Sequence, residues 1–315
     1  MANLDKEQRW KGVITSSVSD ALAVSYAAKE FRTPSIVVLP EDTTKAKIKE
    51  LTRLGSTVKL HGLSTEAAKE ECLRLQSLHD LIAVPQPGDE YVISGCGTIG
   101  QEIIQQANPS QVEAVFCPIA CGTLIAGLGI YLKRVAPQIK VIGVQLHDSA
   151  DISRLIHCKG QPTLEEHLLS RGICPKVAGL CSGVIDDIVQ VTTNEVLIAT
   201  KNIYEDTRQL LSTEGALAVA GMKSWVTSNG LVGSEKGFIA ITSEAQLDFS
   251  EISSIVKQAS LAEMAMEREN NSGLESLAHG AGTCAGDGWS SSTTVIGTET
   301  TASFTSDVDG SLWNI

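Results

Sequence analysis

Apolar and polar positions along the chain follow two rhythms. Short apolar runs rich in β-branched residues predict strands at Val13–Thr15, Ser35–Leu39, Thr57–Leu60, Ala114–Pro118, Val141–Gln145, Ile188–Val191 and Gly237–Ile241. Helical periodicity fills the intervals Ala21–Phe31, Thr44–Leu54, Thr65–Leu78, Gly97–Ala107, Thr123–Val135, Thr193–Leu211 and Glu214–Ser224. Strands separated by helices of this length imply an α/β fold with mainly parallel sheets. Such sheets bind ligands beyond the carboxyl ends of their strands. Ser16–Asp20, Ala120–Thr123 and Ser243–Gln246 each follow a strand, so they are the first places to look. From Asn270 the chain turns to Gly, Ser, Thr and Ala without a period. That composition buries too little apolar surface to offset ordering, which predicts a disordered C-terminal tail over 270–315.

Length and charge narrow the picture further. A chain of 315 residues has room for about two domains and a large core. A formal net charge of −12, with no Lys/Arg cluster, argues against a nucleic-acid partner. No apolar run is long enough to cross a membrane. The opening MANLDKEQRWK is charged and lacks the apolar core of a secretory signal, so a cytoplasmic location is expected. The eight cysteines sit mostly inside apolar patterns, as reduced thiols do, rather than in a disulfide framework. Neither they nor the six scattered histidines have the spacing of a metal set.

Three loops carry the candidate chemistry. In GVITSSVSDALAV, a short strand runs into Ser17, Ser19 and Asp20 at a helix start, the make-up of an anion cradle. In VFCPIACGTLIAGLGIYLKR, a strand ends at Pro118 and a small-residue turn, Ala120-Cys121-Gly122-Thr123, opens an apolar helix. Such a turn lets backbone N–H groups close on a phosphate or carboxylate, or is simply a tight connection. In SGCGTIGQEI, Thr98 with Gln101 three residues on matches a capping box, a structural role.

The order of GVITSS, GCGTIGQEI, PIACGTLIAGLGIYLKRVAPQIKVIGVQ, IYEDTR, EGALAVAGMK and SEAQLDF resembles the pyridoxal-phosphate-dependent threonine/serine dehydratases, from Met1 to about Glu269. The resemblance implies the fold-type II, tryptophan synthase β-like architecture of two domains. On it, residues 1–100 form a small α/β domain with a remnant N-terminal helix, and 101–269 a larger α/β domain lacking its first strands. The family's Ser-Phe-Lys-x-Arg-Gly-Ala segment, which supplies the Schiff-base lysine, is absent from this sequence. The family's Ser-x-Gly-Asn-His-Ala-Gln-Gly loop reads Ser17-Val18-Ser19-Asp20-Ala21-Leu22-Ala23, and an aspartate would repel a cofactor phenolate. Its tetraglycine phosphate cup reads Ala120-Cys121-Gly122-Thr123, narrowed by added side chains. Its Glu-Pro-Ser-Gly-Ala stretch reads Ser212-Thr213-Glu214-Gly215-Ala216, and Ser243 keeps the serine that contacts the pyridine nitrogen.

From these departures the expectation is that pyridoxal phosphate has been lost and no cofactor is carried. Ser17, Ser19, Ala120, Gly122, Thr123, Ser212 and Ser243 would then be former cofactor-binding positions, with no metal. Asp20, Cys121 and Glu214 would be the catalytic candidates for a cofactor-independent lyase, cyclase or isomerase acting on a small-molecule ligand in specialised metabolism. Two alternatives stand beside it. One is a non-catalytic or decayed paralogue, a homo-oligomer or a partner of a full-length dehydratase. The other is a pyridoxal-phosphate-dependent threonine/serine ammonia-lyase whose start is mis-assigned.

Overall fold

Two units, Met1–Val92 and Ile93–Ile315, divide the chain. The computed structural model describes residues 1–84, 88–147, 168, 173–243, 251–277, 293–297 and 301–303.

In the first unit, β1 (Val13–Thr15), β2 (Ser35–Leu39), β3 (Thr57–Leu60) and β4 (Ile82–Ala83) form a parallel sheet in the order β3-β2-β1-β4. The helices are α1 (Lys6–Lys11), α2 (Ala21–Glu30), α3 (Lys45–Arg53) and α4 (Thr65–His79). Successive strand residues point to opposite faces, so one strand feeds two cores. Val37 and Leu39 pack with Ala21 and Leu51, from α2 and α3. Ile14 and Val38 pack with Ala68, Cys72 and Leu75 from α4. Asp5, Thr44 and Ser64 each cap a helix through the side chain, which explains where α1, α3 and α4 begin. Three buried hydroxyls also bridge helix, strand and turn: Ser35 Oγ lies 2.6 Å from Ser56 Oγ, which donates to Ser25 Oγ at 2.7 Å.

The second unit holds a six-stranded sheet in the order β10-β9-β8-β5-β6-β7. Its strands are β5 (Val112–Pro118), β6 (Lys140–Leu146), β7 (Asp187–Val191), β8 (Gly237–Thr242), β9 (Thr293–Gly297) and β10 (Thr301–Ser303). All pairs are parallel except β9 with β10. The helices are α5 (Glu90–Gln106), α6 (Thr123–Val135), α7 (Pro175–Ser182), α8 (Thr193–Thr207), α9 (Thr213–Ser228) and α10 (Ile252–Leu277). Val115 and Cys117 of β5 belong to the core built with α5, α6 and α7. Ala114 and Phe116 belong to the core built with α8 and α9. A strand covered on both faces reads as a nearly continuous apolar run, as VEAVFCP does apart from Glu113, whose carboxylate pairs with Lys140 and Lys236.

Several elements differ from the sequence reading. The division falls at Val92 rather than near residue 100. α5 starts at Glu90, where Asp89 Oδ1 accepts from the Tyr91 and Val92 amides. Thr98 is therefore inside the helix and not its cap; its hydroxyl donates back to the Gly95 carbonyl at 2.7 Å. The stretch expected as one helix over Thr193–Leu211 is broken by Arg208 in left-handed geometry (φ 62°), and Ser212 then caps α9. Within 270–315, read from composition as a tail, the described residues are the end of α10 and strands β9 and β10. The six described cysteines are free thiols; Cys158 and Cys284 lie outside the described residues. Among the described residues no helix is long and apolar enough to cross a membrane. Nor does any group of three His, Cys, Asp or Glu there suit a metal ion.

The glycines of α5 and α6 exist for contact. A Cβ on Gly127 would lie 2.1 Å from the Ile93 carbonyl oxygen and 2.8 Å from Cys96 Cβ. Gly127→Ala should thus cost about 1–3 kcal/mol by overpacking. Gly95 has nothing within 4 Å of the same atom, so Gly95→Ala should gain about 0.5–1 kcal/mol of helix propensity. Denaturant midpoints of the two variants check both signs.

Glu71 on α4 sets an acid limit for the first unit. Hydrogen bonds from the Arg74 guanidinium and then the Lys59 ammonium hold its carboxyl down to about 2, from an ordinary 4.5. A depressed carboxyl contributes its full stabilisation above 4.5 and loses it as pH falls toward 2. Glu71→Gln should be less stable than the parent at neutral pH and lose less on acidification, as melting temperatures across that window would report.

Candidate functional site

The connection from β5 to α6 is held from below and left open at its end. The Ile119 amide donates to the Val144 carbonyl at 2.9 Å, so the chain stays paired to β6 one residue past β5. The Ile119 side chain crosses Gly143, where a Cβ would lie 2.3 Å from Ile119 Cδ1. Ala120 and Cys121 then pass through solvent, and the chain dives at buried Gly122. Gly122 has φ +79°, and a Cβ there would stand 2.9 Å from Val177 Cγ1 and 3.3 Å from Ile173 Cγ2. Both the backbone conformation and the space require glycine.

Gly122 is the N-cap of α6, and no side chain caps that helix. By contrast Thr192 and Ser212 close the first turns of α8 and α9. The first amides of α6 are therefore aimed beyond the carboxyl end of β5, at the positive end of a 13-residue helix. Thr123 adds a hydroxyl, which accepts from Cys121 Sγ at 3.4 Å. Cys181 is buried under the turn and donates its S–H to the Gly122 carbonyl at 3.6 Å. Burial, then the neighbouring Cys121 and Cys174, pushes the Cys181 thiol up to about 12; burial also pushes Cys117 far up, so both remain protonated.

The other candidates of this unit gather on the same edge. β8 is paired with β5 at Phe116–Ala240, so Ser243 leaves β8 level with the residue after Pro118. α9 runs against the strands. Its Trp225 donates Nε1–H to Asp187 Oδ2 at the start of β7 (2.9 Å) and lies under Lys140 at the start of β6. The other end of α9, with Ser212 and Glu214, therefore stands at the carboxyl edge. Ser212 Oγ accepts from the Gly215 amide and is spent as a cap, while Glu214 is exposed and accepts from Thr213 Oγ1 at 3.1 Å.

Ser17, Ser19 and Asp20 lie in the first unit, after β1. Ser17 donates to Asp20 Oδ2 at 2.6 Å and lies 3.2 Å from Ser19 Oγ; its own amide donates to Thr15 Oγ1. Asp20 begins α2 but makes no capping bond, because its carboxylate is turned onto Ser17. Glu244 and Gln246 lie outside the described residues. The floor of the cup, formed by Ile173, Val177 and Cys181, escaped sequence reasoning: its residues are some 50 positions downstream and look like ordinary core.

Comparison with known proteins follows the same line. A family model described as "Pyridoxal-phosphate dependent enzyme" matches residues 1–241. The threonine dehydratase-like protein AKTS1-1 of Alternaria alternata is 39% identical over 284 residues, 88% of this chain and 68% of that protein. The mitochondrial threonine dehydratase of Schizosaccharomyces pombe is 37% identical over 268 residues, 83% of this chain and 45% of that one. This chain thus spans about two thirds of the first and under half of the second. Among solved structures, the processed form of threonine deaminase isoform 2 from Solanum lycopersicum superposes with a TM-score of 0.72 at 30% identity, over 83% of this chain and 73% of that one.

These matches overturn the expectation that the cofactor has been lost. The physical ground for it also weakens at the cup. The tight position, Gly122, keeps its glycine, while the added side chains of Ala120 and Cys121 are on exposed residues. Bare amides at an uncapped helix start, with a turn that a Cβ would fill, fit a phosphate group. Gly122→Ala should cost about 1–3 kcal/mol, from the left-handed backbone and the contact with Val177. A drop in melting temperature would check it.

Proposed function

Because the chain belongs to the family of pyridoxal-phosphate-dependent enzymes, we propose that it holds this cofactor and eliminates water from a hydroxy-amino acid of the threonine or serine kind, the resulting enamine then taking water back as it hydrolyses to a keto acid and ammonia. The observation that carries the reading is the uncapped α6 start at Gly122, an anion cradle at the ligand edge of a parallel sheet. The names of the relatives support the substrate class.

Pyridoxal phosphate, when bound, supplies an electron sink that acidifies the α-hydrogen of an amino acid. The chain's own residues do the holding. The amides that follow Gly122 would hold the phosphate oxygens at the positive end of α6. Thr123 Oγ1, which already accepts from Cys121, would donate its own proton to the same phosphate. Ser243, just past the end of the adjacent strand, would hydrogen-bond the ring, as the family resemblance implies. Glu214 stands exposed on that edge, its Oε2 accepting from Thr213 Oγ1. The cofactor-independent route through Asp20, Cys121 and Glu214 rested on cofactor loss and falls with it. No Ser-Phe-Lys-x-Arg-Gly-Ala stretch occurs between Met1 and Ile315, so the tethering amine is the group that the test must identify.

The purified protein, titrated with pyridoxal phosphate, should develop visible absorbance and release keto acid and ammonia from threonine or serine. Reductive trapping and peptide mapping then locate the amine. Thr123→Val should weaken cofactor binding about ten- to a hundredfold, the worth of one charge-assisted hydrogen bond. A protein that binds pyridoxal phosphate no better than pyridoxal, and forms no keto acid, would overturn the reading.

A further inference from the structure

We propose that Cys181 is a positioning residue of the anion cup: its S–H holds the Gly122 carbonyl and so aims the Thr123 amide at the bound phosphate. The inference rests on the phosphate reading given above and names a part of the site outside the loop itself.

The peptide plane couples the two groups. The Gly122 carbonyl and the Thr123 N–H belong to one trans peptide, so they point in opposite directions. Whatever fixes the carbonyl aims the amide. Two donors converge on this oxygen: the Ala126 amide at 3.0 Å, which is the first bond of α6, and the Cys181 thiol at 3.6 Å. A thiol is a weak donor, but this one is fully buried and does not exchange its bond for water. It stays an S–H donor over the whole physiological range, because burial holds its pKa near 12.

α7, which carries Cys181, is itself fixed against α6. Val177 presses on Gly122 at one end. Just past the other end, Asp186 Oδ2 receives the Lys133 ammonium from α6 and the Val141 amide from β6, each at 2.6 Å. Between them, Val184 fills the space beside Gly129 of α6 so closely that a Cβ there would lie 2.7 Å from Val184 Cγ2. The donor is thus mounted on an element that cannot drift from the helix it orients. Nothing in the proposed chemistry uses Cys181, yet its sulfur is spent on the one carbonyl that sets the cup.

The test compares the dissociation constants of pyridoxal phosphate and of pyridoxal, which lacks the phosphate, by fluorescence titration. Cys181→Ala removes the donor; Cys181→Ser keeps one. Cys181→Ala should weaken pyridoxal phosphate about threefold or more and leave pyridoxal unchanged. Cys181→Ser should return to within about twofold of the parent. A merely structural role would lower the affinity for both ligands together, and that result overturns the proposal. So does an alanine variant that binds pyridoxal phosphate as tightly as the parent. Failure of the functional reading looks different: there the parent itself does not distinguish the two ligands.

Discussion

The ligand edge of the larger unit depends on β5 being bonded on both sides. It pairs with β6 through Pro118–Val144 and with β8 through Phe116–Ala240, and its side chains are buried alternately in two cores. A strand so placed cannot slip by a residue without turning Phe116 into the α5–α6 layer and Cys117 into the α9 layer. Its end is therefore a fixed point in space. Everything that follows it, from Ile119 to Thr123, is built outward from that point; Ser243 arrives at the same edge by the β8 register and Glu214 by the direction of α9.

Small residues serve two separate ends here. On α5 and α6, Gly97, Gly100 and Gly127 let two helices approach until backbone meets backbone and Tyr131 covers the gap. At Gly143 and Gly122 they let a turn fold flat onto the sheet and onto α7. The first group makes a rigid wall, the second a rigid cradle. Two layers of close packing beneath a helix terminus leave its orphan amides pointing at solvent with little freedom to turn away. Preorganisation of this kind is what lets a backbone site hold an anion without a cationic side chain.

Much of the fold was legible because the parallel strands write themselves as short, mostly apolar runs of three to seven residues. The seven expected strands are all present, with ends within two residues. Helix ends were harder. Thr98 and Gln101 satisfied a capping pattern, but the apolar stripe of Ile93, Gly97, Gly100 and Ile103 continued through them, and packing outweighed the local signal. Arg208 hid a helix break, since nothing in its side chain announces left-handed geometry. At the site, the loops were legible and their floor was not. Ile173, Val177 and Cys181 carry the cup through van der Waals contact and one thiol bond, which leave no spacing to read. The inference of cofactor loss failed for a related reason. It weighed side-chain changes at Ala120 and Cys121 in a loop whose function lies in the backbone, and the backbone kept the glycine it needs.

In the smaller unit, the row of hydroxyls formed by Ser35, Ser56 and Ser25 has a direction. Ser56 has one proton and gives it to Ser25, so the short contact with Ser35 can only be filled by Ser35's proton. Three side chains from a strand, a turn and a helix thus behave as a polarised wire sealed from water. Lineages that alter one member would be expected to alter the others with it, so that this trio drifts as a block while the apolar residues around it change singly.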